Sequence, residues 1–121
     1  MKDKRILIVE DNSDLSMLTK LALTKVGYTV VCASNGEEAL KYIETSGMPD
    51  LILLDMKMPV MDGWEFSRIY KSRFPKSAAP IIVMTAAQDS EARATEIGAE
   101  AFIGKPFELQ ELFASVNKMV S

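Results

Sequence analysis

The sequence predicts an α/β fold, a doubly wound parallel sheet built from five successive βα units, and three observations predict it. Short runs of Ile, Val and Leu alternate with longer stretches whose apolar residues recur at helical spacing. The run Leu51-Ile52-Leu53-Leu54 does not alternate with polar residues, which fits an interior strand covered on both faces. No low-complexity or linker-like stretch divides the 121 residues, so a single domain over 1–121 is expected.

The first strand is read at Arg5 to Val9. After the Glu10-Asp11-Asn12 turn, Leu15, Leu18, Leu21 and Ala22 mark the expected packing face of a helix, which Asn12 or Ser13 can cap and Gly27 can end. Val30, Val31 and Cys32 supply the second strand. The segment Asn35-Gly36-Glu37-Glu38 opens a second helix with negative charge at the positive end of its dipole, and Ala39, Leu40 and Ile43 form its apolar face. Ser46-Gly47-Met48-Pro49 closes it, and Leu51 to Leu54 follow as the third strand, with Asp55 at its C-terminal end. A loop with Pro59 and Gly63 leads to a helix containing Trp64, Phe66, Ile69 and Tyr70. Pro75 and Pro80 punctuate the route to a fourth strand, Ile81 to Met84. A fourth helix spans about Asp89 to Ile97 and stops at Gly98. Ala101-Phe102-Ile103 is a short fifth strand. Leu109, Leu112, Phe113, Val116 and Val120 define an amphipathic last helix.

Composition narrows the chemistry. The chain is 48% hydrophobic and 26% charged, the balance of a globular domain, and 14 Lys+Arg against 17 Asp+Glu give a net charge of -3. No basic tract is long enough to grip a nucleic-acid backbone, so this domain alone is not expected to bind nucleic acid. There is no histidine, which excludes imidazole as base, zinc ligand or phosphoryl carrier, together with Ser-His-Asp and Cys-His catalysis. The single cysteine, Cys32, cannot form a disulfide framework and is read as core. The apolar runs are too short to cross a membrane and MKDKRILIVE lacks a signal-type apolar region, so a cytoplasmic protein without membrane insertion is expected.

In a doubly wound sheet, ligand sites collect outside the strand C-termini. Glu10 and Asp11 follow the first strand, Asp55 the third, Thr85 the fourth and Lys105 the fifth, so residues far apart in sequence converge on one edge. Carboxylates held together repel unless they are protonated or compensated, and a hard divalent cation compensates them. Magnesium, bound through Glu10, Asp11 and Asp55, could also hold phosphoryl oxygens. Asp55 would be the nucleophile, giving an aspartyl phosphate, with Thr85 and Lys105 holding phosphoryl oxygens. Each residue also has a plainer role. Acidic side chains cap turns, a threonine ends a buried strand, and a lone lysine is solvated charge. Met56, Met58 and Met61 are read as packing. Asp62-Gly63 is read as a turn in which glycine relieves a positive φ, and Phe102, Trp64 and Tyr70 as core.

The ordered motifs V-E-D after the first strand, L-L-D-M-K-M-P-V-M-D-G around Asp55, M-T-A at Thr85 and K-P-F at Lys105 resemble the receiver domain of bacterial two-component response regulators over essentially the whole chain. The resemblance implies a flavodoxin-like, CheY-like (βα)5 fold with sheet order 2-1-3-4-5 and phosphorylation at Asp55. It implies magnesium, with Mn2+ able to substitute, held by Asp11, Asp55 and the Lys57 backbone carbonyl, with Glu10 acting directly or through water. It assigns Thr85 and Lys105 to phosphoryl sensing and binding, Phe102 to an aromatic switch position usually held by tyrosine, and a cis peptide to Lys105-Pro106.

By the same resemblance, a histidine kinase or histidine phosphotransfer protein donates the phosphoryl group. A downstream target protein then reads the face formed by helix four, strand five and helix five, and a phosphorylation-dependent dimer is a further expectation. Receivers also dephosphorylate themselves. Lys57 and Ala87 occupy the flanks that influence attacking water, and because alanine cannot orient water, slow autodephosphorylation is expected. Five βα units consume nearly all of the 121 residues, leaving no room for an effector within them. The competing functions are a magnesium-dependent phosphatase using Asp55 as nucleophile, and a non-phosphorylated receiver-like binding module. The phosphatase reading lacks a matched general acid two positions after Asp55, where Lys57 stands.

Overall fold

Five short apolar segments of the chain pair side by side, all parallel, in the computed structural model, which describes residues 3–120. Met1, Lys2 and Ser121, the ends of the expected domain, lie outside the described residues. The elements run β1 (Arg5–Val9), α1 (Ser13–Lys25), β2 (Thr29–Ala33), α2 (Gly36–Ser46), β3 (Leu51–Leu54), α3 (Gly63–Arg73), β4 (Ile81–Ala86), α4 (Ala87–Ile97), β5 (Ala101–Lys105) and α5 (Leu109–Val120). The sheet order is β2-β1-β3-β4-β5, as expected for the doubly wound fold.

Alternation along the strands divides the apolar side chains between the two faces. Leu7, Val9, Ile52, Leu54 and Val83 meet Leu40, Ile43, Phe66, Tyr70 and Ile97 of α2, α3 and α4. Ile6, Ile8, Leu53, Ile82 and Ile103 meet Leu23, Leu112 and Val116 of α1 and α5. Both faces are therefore covered, which is why β3 reads as an unbroken apolar run and all four of its residues are buried.

Several expectations differ from the structure. α1 is rotated from its predicted packing face: Ser16, Thr19 and Leu23 are buried, whereas Leu18 and Leu21 are 64% and 59% exposed. Spacings of three and four make this a proper helical stripe. Thr19 can be buried because its hydroxyl bonds within the helix, Oγ1 donating to the Leu15 carbonyl at 2.8 Å, whereas Ser16 Oγ is buried without a hydrogen-bond partner among the described residues. Cys32 is exposed rather than core, because β2 is an edge strand. Leu109, counted on the packing face of α5, is 52% exposed. β4 and β5 run two residues beyond their predicted ends, and α4 begins two residues before Asp89. No described helix is long and apolar enough to cross a membrane.

Candidate functional site

The ends of β1 and β3 bring the acidic residues together. Beyond the strands the ladder continues, with Glu10 N–H donating to the Ala33 carbonyl at 3.0 Å and Asp55 N–H to the Val9 carbonyl at 2.9 Å, so both carboxylates leave the sheet at one level. Asn12, not Ser13, caps α1, its Oδ1 accepting from Leu15 N–H at 3.0 Å, and the Glu10 carboxylate accepts from Asn12 N–H at 3.1 Å. Glu10 and Asp55 are buried, whereas Asp11 is exposed at the rim. Each of the three can offer a carboxylate oxygen, and these oxygens lie within 4.8 Å of one another.

Lys105 enters the cluster from β5. Its Nζ donates to Glu10 Oε1 at 2.7 Å and stands 3.4 Å from Asp55 Oδ1, which also accepts from Met56 N–H at 2.9 Å. Burial, reinforced by the Glu10 charge and opposed by Lys105, pushes the Asp55 carboxyl up to about 6. One ammonium does not compensate three carboxylates, so the site retains excess negative charge. Hard oxygen donors at this spacing fit a magnesium-sized divalent cation better than a soft-metal site, which would use thiolate or imidazole.

The loop after Asp55 carries its own constraints. Lys57 is exposed, while Met56 and Met58 are buried, as the packing reading expects. Val60 has φ 69° and sits between the Pro59 carbonyl and Met61 N–H, hydrogen-bonded at 2.7 Å, a strained γ-turn for a β-branched residue. Asp62 caps α3 by accepting from Glu65 N–H at 2.9 Å. Gly63 is required by close approach and not by the positive φ expected of it. A Cβ there would lie 2.8 Å from the Asp55 carbonyl oxygen.

Thr85 is buried near the end of β4 and pairs in register with Gly104, one position before Lys105. Ala87 is the first residue of α4. Phe102 is 45% exposed on β5 and is not a core residue. The Lys105-Pro106 peptide is cis. Beside Lys105, a cavity of about 520 Å3 opens between α1 and the start of α5, with Leu15, Leu18, Pro106, Phe107 and Leu109 in its wall. Sequence reasoning missed this apolar groove, because it placed Leu18 and Leu109 in the interior. It also missed the role of Trp64, whose Nε1–H donates to Glu96 of α4 at 2.8 Å, since no local sequence signal pairs residues on two different helices.

Residues 6–117 match the family described as the response regulator receiver domain. The chain belongs to this family. It is 38% identical over 120 residues to the alkaline phosphatase synthesis transcriptional regulatory protein PhoP of Bacillus subtilis, covering 98% of this chain and 49% of that protein. The chain thus spans about half the length of the curated relatives it matches. Among solved structures, it superposes on the response regulator TrrA of Thermotoga maritima, in complex with Mg2+ and BeF, with TM-score 0.82 and 35% identity over 96% of this chain and 98% of that one. The receiver domain of a sensor histidine kinase from Pseudomonas aeruginosa, with magnesium coordinated in its active-site cleft, gives TM-score 0.87 and 28% identity over 98% of both chains. This receiver domain is a phosphoacceptor module of two-component signalling, and its acidic cluster is of the kind that binds magnesium in receivers.

Proposed function

We propose that Asp55 is the phosphoacceptor of this receiver domain and that Glu10, Asp11, Asp55 and the Lys57 backbone carbonyl hold the magnesium ion. The observation that carries the reading is the convergence of the Glu10, Asp11 and Asp55 oxygens within 4.8 Å, with the Lys105 ammonium 3.4 Å from Asp55. When bound, magnesium supplies positive charge to the carboxylates and to phosphoryl oxygens. Asp55, on a fixed strand end, attacks the phosphorus of a partner's phosphohistidine. The new O–P bond forms as the P–N bond breaks, and the leaving imidazole stays with the donor. Lys105 exchanges part of its pairing with Glu10 for a phosphoryl oxygen, and Thr85 donates its hydroxyl to another.

The donor is a histidine kinase or histidine phosphotransfer protein, and the apolar surface of α1 supports its footprint. Met17, Leu18 and Leu21 are each more than half exposed, and Leu18 also borders the groove at Lys105. The output is a change in the α4-β5-α5 face, where Phe102 stands half-exposed, read by a target protein or by a second copy. Lacking a phenolic hydroxyl, Phe102 contributes by packing alone. Ala87 and Lys57 at the flanks favour a long-lived phosphoryl group.

Incubating wild type and Asp55→Ala with magnesium and a small phosphodonor tests the assignment. Wild type gains one acid-labile phosphoryl group in its intact mass and the variant gains none. Equal labelling of the two proteins would remove Asp55 from this role.

A further inference from the structure

α4 is held very differently at its two ends. At the C-terminal end, Glu96 accepts from Trp64 Nε1–H at 2.8 Å and pairs with Arg93 at 2.8 Å, and the Arg93 guanidinium lies over the Trp64 ring, 5.6 Å from its centroid. Lys71 of α3 donates to the Ile97 carbonyl and, at 3.2 Å, to that of Gly98, groups that a helix end leaves without intrahelical partners and that carry the negative end of its dipole. Ala94 and Ile97 bury apolar side chains in the same half.

At the N-terminal end, Ala86 occupies the cap position with no side-chain cap bond, and the buried residue of the first turns is Ser90. Contact there is backbone against backbone. A Cβ on Gly104 would fall 2.5 Å from Ala87 Cα, so β5 and the first residue of α4 touch because position 104 is glycine. Thr85 stands two residues before that contact.

We propose that α4 is a lever pinned to α3 by Trp64 and Lys71, so that a displacement begun at Thr85 is confined to its N-terminal half, residues 87–92. The proposal rests on the phosphoacceptor reading above, because the displacement starts when Thr85 is drawn toward a group on Asp55. A tethered end and an untethered end bias where a two-state element rearranges, and the response of the α4-β5-α5 face is then a change beside Gly104 and Phe102 rather than a translation of the whole helix.

Trp64 is the chain's one tryptophan, so its indole N–H gives a single nitrogen–proton resonance that reports on the Glu96 bond. The experiment records amide and indole spectra of the wild-type chain before and after adding magnesium and beryllofluoride. Shifts at Met56 and Lys57 report loading of the Asp55 site. The expected result is that residues 87–92 shift while residues 94–98 and the Trp64 indole stay in place. In Glu96→Ala, and separately in Lys71→Met, the shifts spread into residues 94–98. If loading moves the indole resonance toward its solvent-exposed position, or shifts the whole of α4 alike in wild type, the lever is wrong and the phosphoacceptor reading stands. If Met56 and Lys57 do not respond at all, both fail.

Discussion

Asp55 carries a charge where little water reaches it, beside Glu10, and its protection from that cost is one lysine that sits closer to Glu10 than to Asp55. The proposed phosphoacceptor role is what would keep the carboxylate there in spite of the fold. Replacing it by the isosteric amide removes the buried charge and leaves the geometry intact, since Asn Oδ1 can still accept from Met56 N–H and Nδ2 can donate to Glu10. In the absence of divalent cations, Asp55→Asn should therefore stabilise the domain by about 1–2 kcal/mol. Thermal unfolding in chelator should show a melting temperature higher by roughly 3–8 °C. An unchanged or lowered value would mean that Lys105 already compensates the charge.

At the scale of elements, α1 shows where pattern reading reaches its limit. Its leucines at positions 15, 18 and 21 suggested a core stripe, yet the sheet accepts Ser16, Thr19 and Leu23. Hydrophobicity alone does not register that small hydroxylated side chains lie close against strands, as Ser16 and Thr19 do, with the Thr19 hydroxyl bonding back into the helix. The exposed leucines then become informative, because apolar side chains clustered beside the proposed reaction site support the donor footprint proposed for α1. Leu18→Ser with Leu21→Ser should leave stability within about 0.5 kcal/mol of wild type, as befits exposed positions. The same pair should slow phosphoryl transfer from a protein donor by about tenfold or more, the loss expected when well-buried interface contacts are removed. Labelling by a small phosphodonor should continue at the wild-type rate. Equal slowing with both donors would place the defect in the acidic site and not on α1.

Across the whole molecule, the order of elements and the strand-end residues were legible because both depend on short-range signals: apolar runs of strand length, helix starts such as the Asn12 cap and the segment opening at Asn35, and the C-terminal Gly98. What depends on pairs of distant elements was not. The Trp64–Glu96 bond, the Lys71 contact with the end of α4 and the exposure of Phe102 follow from how helices settle on the sheet, and no single segment encodes them.

Tyr70 is a further case, read simply as core, and it ties global stability to pH. Its ring is buried between Phe66 and Phe74, and its hydroxyl donates to the Ala79 carbonyl at 2.9 Å. Burial pushes the phenol up from 10.0 to about 12, because the phenolate would lose its water. The folded state thus holds the proton more tightly than the unfolded state. Below pH 10 both are protonated and the contribution is whole; between 10 and 12 the unfolded chain ionises first and stability falls; above 12 the loss levels off. The loss attributable to this group is about 1–3 kcal/mol. Urea unfolding at pH 9 and pH 11.5 should show wild type losing that much more than Tyr70→Phe, the variant cancelling the lysines and other tyrosines that titrate in the same range. Parallel losses in the two proteins would show that the phenol ionises as readily in the folded core as in the open chain.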